Sequence, residues 1–234
     1  MGKQNAIWIT GASSGIGKEL TKKLSSNFNV IASARRIVPI KKLISESKSS
    51  SEIIPLQNDI SDFSDLNEKI NNLKKNYNIS CLINNAGITS FKPFIENSIE
   101  EIDQIIKVNL LGSIYSTKLV LPEMIENNSG TIINILSVAT KTVFTKSSIY
   151  AASKAGLDYF SKVLREEVRN HNIKIINVFP GATATEIWPA HVLNKYSSKM
   201  MMPEKLADLI SSFLISDENL VPEEIVIRPI SGDL

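Results

Sequence analysis

The chain has 234 residues, of which 43% are hydrophobic and 21% are charged. These proportions are typical of globular proteins and exclude a disordered chain, and a chain of this length can bury a large core without disulfides or a structural metal. The 26 Lys and Arg residues nearly balance the 24 Asp and Glu residues, so the charge does not indicate a nucleic-acid or membrane-surface partner.

Metal-binding and targeting patterns are missing from the sequence. One cysteine and two histidines are too few for an internal disulfide or a multi-histidine metal site, so we expect no bound metal. The first residues run into an apolar strand without a signal-peptide pattern. No apolar run approaches the roughly 18 residues that a membrane span needs. We therefore expect a cytoplasmic protein with neither a membrane nor a nucleic-acid partner.

Short apolar runs alternate with helical patterns along the whole chain. Strands are predicted at residues 6–10, 30–33, 53–56, 81–84, 131–136, 174–179 and 225–227. Helices are predicted at residues 16–25, 62–77, 99–107, 110–125, 151–169 and 204–214, with Ser61 as the N-cap of the second helix. Several strands are apolar at consecutive positions, which is typical of a parallel sheet buried on both faces. The pattern predicts one doubly wound α/β domain over residues 1–234.

Residues 185–202 interrupt this alternation. The segment contains Trp188, Pro189 and three consecutive methionines at positions 200–202, and it matches neither a regular helix nor a regular strand. In an α/β sheet it would follow the carboxyl end of a strand, where ligands bind. We therefore predict that residues 185–202 form a substrate lid. The three methionines would suit an adaptable apolar part of that lid, with plain core packing as the alternative.

A glycine-rich turn joins the first strand to the first helix. Residues 10–17 read Thr-Gly-Ala-Ser-Ser-Gly-Ile-Gly. Glycines permit a tight turn and close approach of a phosphate to the backbone, and the helix N-terminus offers free N–H groups at the positive end of its dipole. A purely structural turn is the alternative, but the position at the first strand-to-helix turn favours a dinucleotide site. The residues predicted to contact the cofactor here are Gly11, Ser13, Ser14, Gly15, Ile16 and Gly17.

The end of the second predicted strand indicates which dinucleotide is bound. A carboxylate there would accept from the ribose 2′-hydroxyl of NAD, whereas an arginine favours the 2′-phosphate of NADP. The strand ends with Ala34, Arg35 and Arg36 and has no carboxylate. A guanidinium binds phosphate with two hydrogen bonds, although two solvated surface arginines are the alternative. Asp59, after the third strand, is assigned either to the adenine edge or to capping of the next helix.

A candidate acid–base pair begins a later helical pattern. Tyr150 and Lys154 are four residues apart and share a helix face. A nearby ammonium lowers a tyrosine pKa from its usual ~10, so the phenol could protonate a carbonyl oxygen or deprotonate an alcohol. Such a pair is common by chance. Ser137, directly after a predicted strand, could hydrogen-bond the same substrate oxygen and supports the chemical interpretation.

Together the motifs resemble those of the short-chain dehydrogenase/reductase family over essentially the full chain. The matching residues are Thr10, Gly11, Gly15 and Gly17 of the glycine motif, the Asn-Asn-Ala-Gly motif at 84–87, the tetrad Asn109, Ser137, Tyr150 and Lys154, and Pro180, Gly181 and Thr185. The resemblance implies a seven-stranded, mostly parallel Rossmann-type sheet of order 3-2-1-4-5-6-7 with helices on both faces. It also implies hydride transfer at a carbonyl or alcohol carbon.

The same resemblance implies roles for individual residues. Tyr150 would be the acid and base, and Ser137 would contact the substrate oxygen. Lys154 would hold the nicotinamide ribose and lower the pKa of Tyr150, while Asn109 would help to seat a water molecule in a proton relay. Arg35 without a neighbouring acid is similar to NADP-preferring members, so the expected cofactor is NADP(H), and the usual assembly implies a homodimer or homotetramer. The further cofactor contacts are Asn85, Ala86, Gly87, Pro180, Gly181, Thr183 and Thr185.

Residues 137–141, 147–150, 200–204, 223–229 and 231–233 are similar to those of the bacterial sepiapterin reductase subfamily. This resemblance implies reduction of a diketone side chain on a pterin. A carboxylate can hold an amino-pyrimidinone edge with two hydrogen bonds, and Asp233 is the candidate. Trp188 could stack on the ring. The alternatives are a solvated terminal residue for Asp233 and lid packing for Trp188. A general reductase for 3-oxoacyl thioesters or hydroxy acids, and a non-catalytic NADP-binding regulatory protein, remain as other functions.

Overall fold

The computed structural model describes residues 2–47, 49–214 and 220–233. In this part of the chain seven strands form one parallel sheet of order β3-β2-β1-β4-β5-β6-β7. The predicted strand order is therefore confirmed. The strands are β1 (Gln4–Thr10), β2 (Asn29–Ala34), β3 (Ile53–Gln57), β4 (Tyr77–Asn84), β5 (Gly130–Ile135), β6 (Ile173–Pro180) and β7 (Glu224–Ile227).

Helices cover both faces of the sheet. Side chains of β1 alternate between the faces: Ile7 and Ile9 pack in one core layer, and Ala6 and Trp8 pack in the other. This is why the strand is apolar at consecutive positions. Within the described ranges, no helix is long and apolar enough to cross a membrane. The helices are α1 (Gly15–Leu24), α2 (Val38–Glu46), α3 (Phe63–Leu73), α4 (Ile99–Ile106), α5 (Gly112–Glu126), α6 (Ser148–Val168), α7 (Ala190–Tyr196) and α8 (Pro203–Ser212).

Three predicted features of the helices are wrong. The N-cap of α3 is Asp62, whose side chain accepts from the Asp65 backbone N–H at 3.1 Å, and not Ser61. The α3 helix ends at Leu73, so Tyr77 opens β4 instead of closing a helix. The helix α7 lies inside residues 185–202, where no regular helix was expected. It has only seven residues and no buried side chain, so its apolar periodicity is weak.

Three asparagines cross the sheet in register near the site. Asn84, Asn134 and Asn177 are paired positions of β4, β5 and β6, and all three are buried. Asn84 Nδ2 donates to Asn134 Oδ1 at 2.9 Å, and Asn134 Nδ2 donates to Asn177 Oδ1 at 3.1 Å. A slip of one residue would turn these amides toward the opposite face. These hydrogen bonds therefore help to fix the register of β4, β5 and β6, and the site lies at the carboxyl ends of these strands.

Candidate active site

A cavity of about 1130 Å³ opens where the parallel strands end. Its wall runs from the glycine-rich turn after β1 to the C-terminal tail. Two of the predicted site residues, Gly17 and Asn109, are not part of the wall. The predicted residues that do line it are Gly11, Ser13, Ser14, Gly15, Ile16, Arg35, Arg36, Asp59, Asn85, Ala86, Gly87, Ser137, Tyr150, Lys154, Pro180, Gly181, Thr183, Thr185, Trp188 and Asp233.

The glycine-rich turn presents bare backbone to the cavity. Gly11 and Gly15 have positive φ values of 68° and 52°, a conformation that favours glycine. A Cβ on Gly11 would lie 2.8 Å from the Ala86 Cα. Ser14, the N-cap of α1, makes no side-chain capping bond, and the first turn carries no acidic residue. The N–H groups of that turn are therefore available to an anion such as a phosphate.

Gly17 lies behind this turn. A Cβ there would overlap the Asn85 amide nitrogen and the Gly11 carbonyl oxygen. Asn85 Nδ2 donates to the carbonyls of Thr10 at 2.9 Å and Gly11 at 3.2 Å. Gly17 therefore lets α1 pack on the turn, and its contact with the cofactor stays a prediction. The hydrogen bonds that Asn85 Nδ2 donates to Thr10 and Gly11 stabilise the backbone of the same turn.

Charged and polar groups surround the cavity end next to β2 and β3. Arg35 and Arg36 are exposed and line the cavity, and neither forms a salt bridge within the described residues. Asp59 accepts from the Ser61 backbone N–H at 2.9 Å and from its hydroxyl at 2.6 Å. Partial burial raises the pKa of the Asp59 carboxyl, but these bonds and the charge of Arg35 bring it below its usual value. Asn58, which sequence reasoning missed, lines the same end, and its buried Oδ1 has no hydrogen-bond partner.

Tyr150 and Ser137 meet at the centre of the cavity. Tyr150 lies in the first turn of α6, and Ser137 follows β5 and accepts from the Ala139 N–H at 3.1 Å. Burial raises the pKa of the Tyr150 phenol, and its hydrogen bond with the Ser137 hydroxyl offsets this only in part. The phenol therefore keeps its proton at neutral pH and can act as a proton donor.

Lys154 is a buried ammonium one helical turn after Tyr150. Its Nζ donates to the Ile135 carbonyl at 2.7 Å and lies 6.0 Å from the centroid of the Tyr150 ring. Burial lowers the pKa of Lys154 to about 8. The expectation that Lys154 lowers the tyrosine pKa is therefore wrong for this state, because burial dominates both groups and favours their neutral forms.

Asn109 lies in a π-helical turn, Lys107–Leu111, between α4 and α5. Its Nδ2 donates to the Ile88 carbonyl at 2.9 Å and to Ser153 Oγ at 3.0 Å, and its Oδ1 accepts from the Ile88 N–H at 2.9 Å. Both amide donors are therefore used inside the protein. The side chain does not line the cavity, and its role in seating a water stays a prediction.

An aromatic pair closes the other end of the cavity. The Phe91 and Trp188 rings are stacked, with centroids 4.8 Å apart and planes at 12°, and both line the cavity. Trp188 Nε1 also donates to the Thr183 carbonyl at 3.0 Å. Sequence reasoning missed Phe91 because the segment after β4 has no periodic pattern. The pair joins two segments that are far apart in the chain.

The predicted lid contributes only its first part to the cavity wall. Besides Trp188, the wall includes Val192 and Tyr196 of α7. The methionines at positions 200–202 do not line the cavity. Met201 forms a one-residue parallel bridge with Thr183 and Met200 is buried, which agrees with the core-packing alternative for these two residues, and the lid over residues 185–202 stays a prediction.

The C-terminal tail brings a carboxylate to the cavity wall. Asp233 lines the cavity and forms an ion pair with Arg228. Arg228 Nη2 donates to Thr142 Oγ1 at 3.0 Å, which ties the tail to the segment after Ser137. Glu186 also lines the cavity, but its Oε2 lies 3.7 Å from the position of a Cβ on Gly15, beside the glycine-rich turn. Asp233 is therefore a wall carboxylate that a cationic partner holds in place.

Comparisons with known proteins agree in family and fold. The family model for short chain dehydrogenase matches residues 5–195. Sepiapterin reductase of Chlorobaculum tepidum is 31% identical over 241 residues, covering 99% of this chain and 98% of that protein. NADP-dependent 3-hydroxy acid dehydrogenase of Schizosaccharomyces pombe is 32% identical, covering 95% of this chain and 92% of that protein. The closed form of a serine dehydrogenase complexed with NADP+ superimposes with a TM-score of 0.90 at 25% identity, covering 98% and 96% of the two chains.

Proposed function

Since the chain belongs to the short-chain dehydrogenases, a family of oxidoreductases, we propose that it is an NADP(H)-dependent carbonyl reductase whose substrate is a pterin with a diketone side chain. The observation that carries the substrate proposal is that the stacked Phe91–Trp188 pair and the Asp233 carboxylate line the same cavity. A planar ring with an amino-pyrimidinone edge fits both features, because the rings offer stacking and the carboxylate accepts two hydrogen bonds.

The opposite end of the cavity fits NADP(H). The uncapped first turn of α1 and the bare turn at Gly11 suit the pyrophosphate. Arg35 and Arg36 are exposed beside the cavity and form no salt bridge among the described residues, which suits a 2′-phosphate. Asn58, with its unpartnered buried carbonyl, and Asp59 suit the adenine. NADP is also named for the yeast relative and for the serine dehydrogenase complex.

The protein's own groups handle the proton and the substrate oxygen. When bound, the reduced nicotinamide supplies a hydride to the carbonyl carbon. As negative charge develops on the carbonyl oxygen, the Tyr150 phenol donates its proton to that oxygen and the Ser137 hydroxyl hydrogen-bonds it. Burial keeps the phenol protonated until this moment. Lys154, held by the Ile135 carbonyl, is placed to stabilise the phenolate that the transfer leaves behind.

A hydroxy acid or 3-oxoacyl thioester is the alternative substrate class, and the name of the yeast relative favours it. A hydroxy acid needs a cation near its carboxylate. Among the described residues of the cavity wall, the cations are Arg35 and Arg36 at the adenosine end and Lys154 at the centre. No further cation lines the wall among these residues, whereas the Asp233 carboxylate does. This charge distribution supports a neutral substrate with N–H donors.

We further propose that the protein assembles as a homodimer or homotetramer. Tyr159 and Val163 lie one turn apart on the solvent side of α6 and are 72% and 47% exposed. Large apolar side chains that share an exposed helix face are typical of subunit contacts. The cytoplasmic location predicted from the sequence stays a prediction.

The test of the function is oxidation of reduced nicotinamide followed by absorbance. NADPH and NADH are tried separately with sepiapterin, a simple α-diketone and a 3-oxoacyl thioester, using the natural protein and Tyr150→Phe. We expect rapid turnover of NADPH with sepiapterin and a loss of at least a hundredfold in Tyr150→Phe with NADPH binding retained.

Any other result of this assay would contradict one specific claim of the proposal. Turnover of the thioester but not of sepiapterin would remove the pterin assignment, and a preference for NADH would remove the role of the arginines. Tight NADPH binding with no reduction of any carbonyl would favour a regulatory NADP-binding protein. Trp188→Leu should raise KM for sepiapterin at least tenfold and leave KM for the small diketone within twofold, since only the pterin can stack on the ring.

A further inference from the structure

Ser153 makes two hydrogen bonds that the chemistry above does not use. It lies in α6 directly before Lys154 and is completely buried. Its Oγ donates to the Tyr150 carbonyl at 2.7 Å and accepts from Asn109 Nδ2 at 3.0 Å. The hydroxyl therefore joins the peptide of the candidate acid to the π-helical turn at Lys107–Leu111.

The same chain of bonds reaches the end of β4. The Asn109 amide holds both the N–H and the carbonyl of Ile88, each at 2.9 Å. A Cβ on the neighbouring Gly87 would lie 3.5 Å from Asn109 Oδ1 and 3.6 Å from Lys154 Nζ. The loop after β4, the π-helical turn and the first turn of α6 therefore meet within a few ångströms of the Lys154 ammonium.

We propose that Ser153 is a positioning residue that locks the first turn of α6 to Asn109 and the loop after β4, and so aligns Tyr150 and Lys154 with the substrate carbonyl. The proposal rests on the catalytic function proposed above. Its energetic basis is that the buried Ser153 hydroxyl donates one hydrogen bond and accepts another, and its removal leaves one N–H of the Asn109 amide without an acceptor. A displacement of about 1 Å in a reacting group can cost roughly a hundredfold in rate.

The same helix provides a matched control. Ser161 is also buried, donates to the Leu157 carbonyl at 2.6 Å and accepts from Asn134 Nδ2 at 2.9 Å. It therefore has the same pair of bonds, a helix carbonyl and an asparagine amide, but lies about two turns beyond Lys154. A purely structural role would give Ser153→Ala and Ser161→Ala the same consequences.

The kinetic experiment compares Ser153→Ala, Ser161→Ala and Ser153→Thr in steady-state carbonyl reduction. We expect Ser153→Ala to lower kcat tenfold to a hundredfold with KM within twofold, and Ser161→Ala to keep kcat within twofold. Ser153→Thr keeps the hydroxyl and should recover most of kcat. If the threonine methyl prevents folding, a cycle with Asn109→Ala replaces it, and the two losses should be strongly non-additive because they break one bond. Equal losses of kcat in the two alanine variants would overturn the proposal.

Hydrogen exchange by mass spectrometry tests the linkage without any substrate. Ser153→Ala should speed exchange at least threefold in both residues 86–91 and residues 148–156, and Ser161→Ala should leave both unchanged. If the natural protein reduces no carbonyl but this coupled change is seen, the proposed function fails and the linkage stands. If the natural protein is active and Ser153→Ala changes neither exchange nor kcat, the positioning role is refuted.

Discussion

The buried Lys154 makes the stability of the unliganded protein depend on pH in a predictable direction. Its pKa is about 8 in the folded state against 10.5 for a free lysine. At a pH between these two pKa values the unfolded protein therefore binds more protons than the folded protein. Stability then rises with pH through this window. A pKa difference of one corresponds to about 1.4 kcal/mol, so the full effect is about 3 kcal/mol, of which about 1 kcal/mol falls between pH 7.5 and pH 9.

The comparison with Lys154→Met isolates this contribution. Cys81 acts in the opposite sense, because burial raises the pKa of its thiol and unfolding releases a proton at high pH. The measurement is therefore the difference in the free energy of urea unfolding between the two proteins, followed by circular dichroism at both pH values. We expect Lys154→Met to lose about 1 kcal/mol of stability relative to the natural protein from pH 7.5 to pH 9. A difference that does not change with pH would refute the burial argument for the Lys154 ammonium.

Three further predictions concern the glycine-rich turn, the arginine that follows β2 and the N-cap of α3. Gly17→Ala should lower the free energy of unfolding by about 1–3 kcal/mol and weaken NADPH binding, because the new Cβ would overlap the Gly11 backbone and the Asn85 amide. Thermal unfolding and fluorescence titration measure the two effects. The control is Gly2→Ala, whose Cβ would meet no atom within 4 Å. Arg35→Ala should raise the NADPH Kd about tenfold and leave the NADH Kd within twofold, since it removes a charge-assisted bond to the 2′-phosphate; equal changes would contradict this. Asp62→Ala should lower the free energy of unfolding by about 1 kcal/mol through loss of the N-cap, seen as a Tm lower by about 2–4 °C.

Local patterns predicted most of the fold. Consecutive apolar residues in β1 reflect burial on both faces, and this pattern is a property of the segment itself. Two short helices were missed, α2 with nine residues and α7 with seven, and α7 buries no side chain that could give an apolar stripe. Choosing between Ser61 and Asp62 as the cap required the backbone geometry, because both residues can accept from an N–H.

Long-range contacts decided how the site works. Phe91 is an ordinary loop residue in the sequence, and only the folded chain stacks it on Trp188. Asp233 was identified by its chemistry, but its ion pair with Arg228 was not. The expected effect of Lys154 on the Tyr150 pKa followed from their spacing, whereas the observed direction follows from burial.

The sequence by itself determined the α/β alternation, the glycine-rich turn and the spacing of Tyr150 and Lys154, because each depends on residues that are close in the chain. The tertiary structure decided which side chains face the cavity, which amides are already satisfied and which charged groups lose water. Gly17 and Asn109 were therefore recognised from the sequence but placed behind the cavity wall only by the fold. The physical reason is that burial and hydrogen-bond saturation depend on segments that meet only after the sheet has assembled.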